Sequence, residues 1–389
     1  RALRVNKMRS ALTMLGVIPA NQALMAWVVW EIGDTLGTVS IFPIMLALFG
    51  TPDSVWNGRR VVVASILSTV LALIMLTYVS FTRIESAKLA QHFHFQADRL
   101  AKNIQDHLDK QEFILEQLDT ALSLAQREPV SREAFAALTH PPLSRFPMLQ
   151  AIEWVPEIPS GQRATFEASQ KHSLPGFVIT QRNETGAIVP VLDRPIYYPV
   201  TYIEPLAKNR KALGFDLGSS PARRAAVLRA QQADGPIATE PVTLVQEQDT
   251  QHSILLIRRI QTGANSPGFV LTVLRVEDFI GTLLPKGADL TIRLTDAEQG
   301  TILYETRPAT TQQSALTHTL RLGGRHYELS ISPHTTVSTA LSSWQSWGLL
   351  VGSLLGDGLL GAVLLLITGT TNRIRAQVEE RTQQLALKG

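Results

Sequence analysis

Two long apolar runs, separated by a much longer polar stretch, constrain this chain more than any other feature. Val61–Phe81 contains no charged residue, and Gly348–Thr368 contains one, Asp357. About 20 apolar residues are needed to cross the hydrocarbon core of a membrane. The two runs therefore predict transmembrane helices over residues 61–81 and 345–369.

Basic residues flank both runs on the side away from the polar stretch. Arg59 and Arg60 precede the first run, and Arg373 and Arg375 follow the second. Lys and Arg concentrate on the cytoplasmic side of membrane proteins. We therefore expect residues 83–343 to lie outside the cytoplasm, in the periplasm or the extracellular space.

The segment before the first run is harder to place. Leu24–Phe49 is a third apolar stretch, and it carries Glu31 and Asp34. If it crosses once, the basic N-terminus lies outside, against the same charge rule. Either residues 11–18 add a partial crossing, or the region belongs to a larger bundle. For the two carboxylates we favour a packing role over a functional one.

Composition and motifs exclude several function classes. The net charge is only +3, which argues against a nucleic-acid partner, and the absence of Cys excludes disulfides and thiol chemistry. No metalloprotease, phosphate-loop or dinucleotide motif is present. His92 and His94 are two residues apart and face different sides of a helix. We expect no catalytic domain, no cofactor and no metal site.

A stalk helix is predicted over residues 82–127. No Pro or Gly interrupts Thr82–Ala125, and small or apolar residues recur there at heptad spacing. This stripe either forms the seam of a parallel homodimer or packs on the chain's own domain. We weigh the two interpretations equally for the half of the stalk that is distal to the membrane, and we favour the dimer for the half near the membrane. The stripe consists of Ala97, Ala101, Ile104, Leu108, Gln111, Leu115, Leu118, Leu122 and Ala125.

Beyond Pro141-Pro142 the pattern changes to short β-like runs between turns, with helices at 162–171 and 221–233. Strands in two consecutive blocks predict an α+β fold in which each block holds one antiparallel sheet. The first block is expected to hold strands at 151–155, 177–180, 197–202 and 253–257, and the second at 269–274, 290–294, 301–304, 318–322 and 326–331.

The order of four segments resembles a CHASE domain over roughly residues 85–335. The segments are Ala151–Pro156, Tyr198–Pro205, Gly214–Leu217 and Thr239–Pro241. The resemblance implies a sensor of the bacterial inner membrane, the receptor part of a histidine kinase or diguanylate cyclase. It also implies that the stalk carries two tandem PAS-like domains. Residues 140–262 would form the membrane-distal, ligand-binding one, and residues 263–340 the proximal one.

Three further segments carry resemblances. The runs Trp30–Gly37 and Trp56–Arg60 resemble the end of a MASE1 membrane region, which would make residues 1–60 a partial one. Residues 1–17 instead resemble the start of an ABC-exporter permease, and we interpret them as foreign to the gene. They supply the alternative function, a membrane component of an ABC-type exporter. Residues 370–389 resemble a cytoplasmic signalling helix that leads into an output module.

Six residues are the predicted ligand site, because a small-molecule pocket needs apolar walls and a few polar groups. They are Tyr198, Thr201, Tyr202, Glu204, Asp216 and Thr239. The alternative is that the first four and Thr239 are ordinary sheet residues, and the two interpretations are balanced. For Asp216, we favour a role in fixing a turn over a role in binding. Thr239 corresponds to a pocket Thr of plant cytokinin receptors. Pro205 stands where those receptors bind adenine with an Asp, so the ligand stays unidentified.

Overall fold

The computed structural model describes residues 20–51, 56, 59–124, 131–245, 251–262, 266–284, 290–306, 315–333 and 344–386. The chain divides into two compact units. One combines residues 1–90 with 337–389, and the other spans residues 91–336. Residues 1–17, on which the exporter alternative depends, lie outside the described part.

The helices and strands follow in chain order. The helices are α1 (Ala20–Phe49), α2 (Arg60–Leu124), α3 (Arg132–Arg145), α4 (Arg163–Ser173), α5 (Leu206–Asn209), α6 (Pro221–Ala230), α7 (Val276–Leu283) and α8 (Trp344–Ala386). The strands are β1 (Leu149–Pro156), β2 (Ile158–Pro159), β3 (Thr180–Arg182), β4 (Ile188–Pro190), β5 (Ile196–Tyr197), β6 (Tyr202–Glu204), β7 (Ile237–Ala238), β8 (Ser253–Thr262), β9 (Ser266–Arg275), β10 (Leu290–Asp296), β11 (Ile302–Glu305), β12 (Leu316–Leu322) and β13 (Arg325–Pro333).

Among the described residues, three helices are long and apolar enough to cross a membrane: α1, α2 and α8. In the first unit, α1 runs parallel to α8, because Val39 lies beside Gly358 and Pro43 beside Gly361. The start of α2 runs the opposite way along α8. The two glycines permit this close approach, as small residues do between membrane helices. The C-terminal ends of α1 and α8 therefore lie on the side of this unit where α2 begins.

The second unit contains a five-stranded antiparallel sheet in the order β6-β1-β9-β8-β7 and a four-stranded one in the order β11-β10-β13-β12. The expected α+β class is confirmed. The grouping of residues 269–274 with the second block is wrong, because β9 pairs along its length with β1 and β8. The first sheet therefore continues to Arg275, past the expected boundary at residue 262. The assignment of both blocks as PAS-like stays a prediction.

Two expected strands are shorter than predicted. Residues 197–202 do not form one strand, because β5 ends at Tyr197 and β6 begins at Tyr202. Between them, the N–H of Val200 donates to Phe215 and that of Thr201 to Trp154, so the chain turns from one partner to another. Likewise, only Thr180 of the run 177–180 lies in a strand.

The heptad stripe of α2 packs on its own domain. Its apolar members from Ala97 to Leu122 belong to one hydrophobic core with residues of both sheets, such as Trp154 and Leu329. Ala97, Ile104 and Leu115 are fully buried there. A parallel homodimer seam on this stripe is therefore wrong for residues 97–122, since each side chain already contacts the same chain's sheets. Ala125, the last residue of the predicted stripe, lies outside the described part.

Candidate functional site

The five-stranded sheet buries both faces, and its central residues divide between them. Ile152 and Trp154 of β1 face the core around α2, whereas Ala151 and Val155 face a second core with α6. Glu153 lies two residues from both Ala151 and Val155, so its side chain is on the same face as theirs, here called the inner face. There it lies between Ile203 of β6 and Leu271 of β9.

Glu153 is 4% exposed, although it is a carboxylic acid among apolar strand residues. Burial raises the pKa of Glu153 to about 7, and the positive charge of Arg223 opposes that rise. Burial of a carboxyl group disfavours its charged form, which explains the direction. Glu153 is therefore divided between its protonated and ionised forms near neutral pH.

Arg223 supplies the opposite charge from the first turn of α6. Pro221 suits the first position of that helix because its fixed φ is helical and no N–H is needed there. The guanidinium is buried, lies 5.2 Å from the ring centroid of Phe215, and donates from Nη2 to the Thr243 carbonyl at 2.8 Å. Burial, with a smaller contribution from Arg182, lowers the pKa of Arg223 to about 10, while Glu153 opposes the change.

Glu153 and Arg223 attract each other through space, and no salt bridge within 4.0 Å joins them in the described chain. A second arginine, Arg182 of β3, donates to the carbonyls of Leu244 and Val245 at 2.9 and 3.1 Å. Both arginines thus hold the segment that follows Thr239. The inner face therefore carries a buried carboxyl group and a buried guanidinium.

Asp216 is fully buried and fixes a turn, which is the role that the sequence favoured. Its Oδ1 accepts hydrogen bonds from the backbone N–H groups of Tyr198 at 2.8 Å and Gly218 at 3.0 Å. Burial raises the pKa of Asp216, and these two hydrogen bonds and Arg194 oppose the rise. Arg194 Nε lies 3.6 Å from Oδ2. The carboxylate is therefore engaged within its own loop.

Three more of the predicted residues are buried around the inner face or its loops. The ring of Tyr198 lies edge-on to Phe269 at 5.9 Å, and its hydroxyl accepts a hydrogen bond from Gln231 at 3.3 Å. The hydroxyl of Thr201 donates to the Pro199 carbonyl at 3.1 Å. Thr239 Oγ1 accepts the N–H of Leu255 of β8 at 3.1 Å, so Thr239 joins the inner-face edge of the sheet.

Tyr202 and Glu204 lie on the opposite face of the sheet. Tyr202 pairs with Trp154, and its ring centroid is 5.9 Å from that of Phe135 in α3. Burial raises the pKa of Tyr202. Glu204 Oε2 accepts the N–H of Leu206 at 3.3 Å. The structure thus divides the six predicted residues between two faces and does not bring them together in one pocket.

Glu153 and Arg223 were missed as site residues by the sequence analysis. A signal was present, because Glu153 is the one charged residue of β1. A lone carboxylate in an otherwise apolar strand needs a partner, since an unpaired buried charge is strongly unfavourable. Arg223 had no such signal, because its helix displays several arginines and only the fold shows which one turns inward.

A separate cleft of about 400 Å³ lies between α2 and the β12–β13 hairpin. Gln105 of α2 accepts the N–H of Arg321 with Oε1 and donates to its carbonyl with Nε2, both at 2.9 Å. Glu112 Oε1 accepts the N–H of Gly323 at 2.7 Å. These contacts fasten the hairpin to α2. Among the described residues, no group of three His, Asp or Glu side chains has the proximity that a metal ion requires.

Comparison with known structures returns extracellular ligand-binding domains of low identity. The chemoreceptor PctC of Pseudomonas aeruginosa PAO1, in complex with GABA, is 14% identical over 63% of this chain and 97% of that one, with TM-score 0.39. The Pseudomonas fluorescens chemoreceptor CtaA, in complex with L-alanine, is 16% identical over 63% and 96%, with TM-score 0.38. An extracellular ligand binding receptor from Desulfohalobium retbaense DSM5692 is 12% identical over 62% of this chain, with TM-score 0.41, and the match spans 40% of that protein's length.

No curated protein sequence matches the chain. The family comparison is more informative, because the profile of the CHASE domain matches residues 128–304. The match takes in all of the five-stranded sheet, including Glu153, Arg223 and Thr239, and it begins after the resemblance to MASE1 ends. The resemblance to a CHASE domain that the sequence predicted is thus confirmed for residues 128–304.

Proposed function

We propose that the chain is the sensing part of a membrane receptor and that a small polar molecule binds at the inner face of the five-stranded sheet. The observation that carries the proposal is the buried pair of Glu153 and Arg223 inside the CHASE domain. A buried carboxylate with a strongly shifted pKa and an oppositely charged partner is typical of binding sites. A ligand that donates a hydrogen bond to the Glu153 carboxylate and accepts one from the Arg223 guanidinium would give both buried groups a polar partner.

The binding signal would pass from the sheet edge to α2. Ala238 of β7, next to Thr239, donates its N–H to the Gly323 carbonyl at 2.9 Å, and Gly323 donates its own N–H to Glu112 of α2. A ligand that shifts β7 would therefore shift Gly323 and bias the packing of α2. Differential contact with two states is what a ligand needs in order to transmit a signal.

The charge pattern and the three candidate spans among the described residues support the membrane arrangement that we propose. We place residues 83–343 in the periplasm or extracellular space and the start of α2 in the cytoplasm. The C-terminal part of α8 would act as a signalling helix toward an output module such as a histidine kinase or diguanylate cyclase. If the receptor is a homodimer, its contact uses a surface of α2 other than the buried stripe. Residues 1–60 would belong to a MASE1-like membrane region.

Thermal-shift measurements on the whole chain in lipid nanodiscs test the ligand site. A panel of amino acids, dicarboxylates and nucleobases is applied to the wild type, Glu153→Gln and Arg223→Gln. We expect at least one compound to raise the melting temperature of the wild type and of neither variant. Compounds that stabilise all three proteins equally would contradict the assignment of this site. Reporter fusions at Gly161 and Gly389 test the topology separately, and the same response at both would contradict it.

A further inference from the structure

An isolated carboxylate lies inside the helical unit. Asp357 is the one charged residue of the candidate span Trp347–Thr371 in α8. It is 2% exposed, and neither of its carboxylate oxygens has a hydrogen-bond partner within the part of the chain that the structure describes. Buried polar groups are nearly always hydrogen-bonded, so a carboxyl group in this state requires an explanation.

The residues around Asp357 contact α1. A β-carbon at Gly358 would overlap the side chain of Val39 and would lie 3.4 Å from the Val39 carbonyl oxygen. Ser40 Oγ donates to the carbonyl of Leu354 at 3.1 Å. Leu354 and Gly358 bracket Asp357 within about one helical turn. The backbone of α8 on both sides of Asp357 therefore packs against Val39 and Ser40.

Val39 offers an acceptor that its own helix leaves free. In an α-helix the carbonyl of Val39 would accept the N–H of residue 43. Residue 43 is Pro, which lies inside α1 and has no N–H. The hydroxyl of Ser40 is directed to Leu354 instead. The Val39 carbonyl, for which Pro43 provides no N–H, thus lies beside Gly358, the residue that follows the unpartnered Asp357.

The charged residues named below on the neighbouring segments of this unit do not neutralise Asp357. Glu31 and Asp34 of α1 are both acidic. Just before α2, Arg59 has Nη1 3.3 Å from the position of a β-carbon at Gly369. Gly369 lies twelve residues beyond Asp357, which is about 18 Å along the helix. An ionised Asp357 would be an unpaired charge in an apolar bundle, which is strongly unfavourable.

We propose that Asp357 is a proton-binding site and that its carboxylic acid donates a hydrogen bond to the carbonyl of Val39. The bound proton satisfies both orphaned groups at once, because a protonated carboxyl has one O–H donor and the Val39 oxygen needs one. The proton then fastens α8, the helix that leads toward residue 386, to α1. Loss of the proton would loosen this contact.

Infrared spectroscopy of the full chain in nanodiscs of neutral lipid tests the proposal. At neutral pH the wild type should show the C=O stretch of a protonated carboxylic acid, shifted in D2O. The band should be lost in Asp357→Asn and kept in Glu153→Gln, which separates it from the buried glutamate. If the Asp357→Asn spectrum shows no loss of an acid band, Asp357 is ionised and the proposal is wrong.

Pro43→Ala is the second variant, because it returns an N–H donor to Val39. The acid band of Asp357 should then shift to the frequency of a more weakly bonded carboxyl group, and an unchanged band would overturn the hydrogen bond to Val39. Cross-linking of the pair Ser40→Cys and Leu354→Cys reports that the helices still pack, since the native chain has no Cys. Replacing sodium by choline should leave the band unchanged. An acid band that appears only in choline would identify bound sodium and overturn the proton site.

Discussion

Gly323 joins the two sheets of the CHASE-containing unit through Ala238. Its carbonyl accepts the N–H of Ala238 at 2.9 Å, and a β-carbon at Gly323 would overlap that same nitrogen. Its own N–H donates to Glu112 of α2 at 2.7 Å. One residue without a side chain therefore connects β7, the β12–β13 turn and α2.

Replacing Gly323 by Ala should lower the free energy of unfolding more than replacing Gly324 by Ala. Both Gly323 and Gly324 have positive φ, of +54° and +74°, so either substitution costs about 1–2 kcal/mol of backbone strain. At Gly324 nothing lies within 4 Å of the added carbon, whereas at Gly323 it meets Ala238 and Leu256. We expect Gly323→Ala to lose about 1–3 kcal/mol more than Gly324→Ala. Chemical unfolding of the two variants measures this, and equal losses would contradict the contact.

Glu153 should make stability fall as the pH rises. Its pKa is about 7 when folded, against its usual 4.5, so the native state holds the proton more tightly. The stabilisation is fully present below pH 4.5 and is lost as the pH passes through about 7. It amounts to on the order of 3 kcal/mol at most, at 1.36 kcal/mol per unit.

Unfolding free energies of the wild type and Glu153→Gln, measured from pH 4.5 to 8, check this prediction. The wild type should lose stability over that range relative to Glu153→Gln, whose amide does not titrate. Glu184→Gln, a change at an exposed position, serves as the control and should follow the wild type. Parallel curves for the wild type and Glu153→Gln would show that Glu153 does not titrate differently on folding.

The sequence predicted those features that depend on local pattern. α6 begins at Pro221 as expected, and the uninterrupted run after Thr82 is helical to Leu124. Features that depend on pairing could not be read in the same way. The strand at residues 269–274 looks alike whether it joins the first or the second sheet. An amphipathic stripe on α2 likewise has the same spacing whether it meets a second chain or its own sheets.

The candidate site shows the same division. Thr239 and Asp216 were recognised by their resemblance and turn chemistry, and both are buried near the inner face. Tyr202 and Glu204 were assigned to that site with them, but strand alternation turns them to the other face. Glu153 and Arg223 meet only because β1 and α6 pack together, and their separation in the chain gives no hint of this.

Thr239 should stabilise the sheet whether or not a ligand is bound. Its Oγ1 accepts the N–H of Leu255 at 3.1 Å in a fully buried environment. Thr239→Val keeps the shape but leaves that N–H without its acceptor, which should lower the unfolding free energy by about 1–3 kcal/mol. Thr239→Ser retains a hydroxyl and should lose less. If Val and Ser variants are equally stable, the hydrogen bond contributes nothing.

Cysteine labelling distinguishes the buried stripe of α2 from its solvent-facing side. The chain contains no Cys, so each introduced thiol reports one position. Ala101 is 6% exposed and packs on the sheets, whereas the adjacent Lys102 is exposed. A buried thiol reacts slowly because the reagent must wait for local opening. We expect Ala101→Cys and Ile104→Cys to react with a hydrophilic maleimide at least tenfold more slowly than Lys102→Cys.

The same buried positions should give no disulfide-linked dimer under mild oxidation in native membranes. Efficient cross-linking at Ala101 and Ile104 would mean that the stripe meets a second chain after all, and that the packing of α2 on its own sheets is not the state in the membrane.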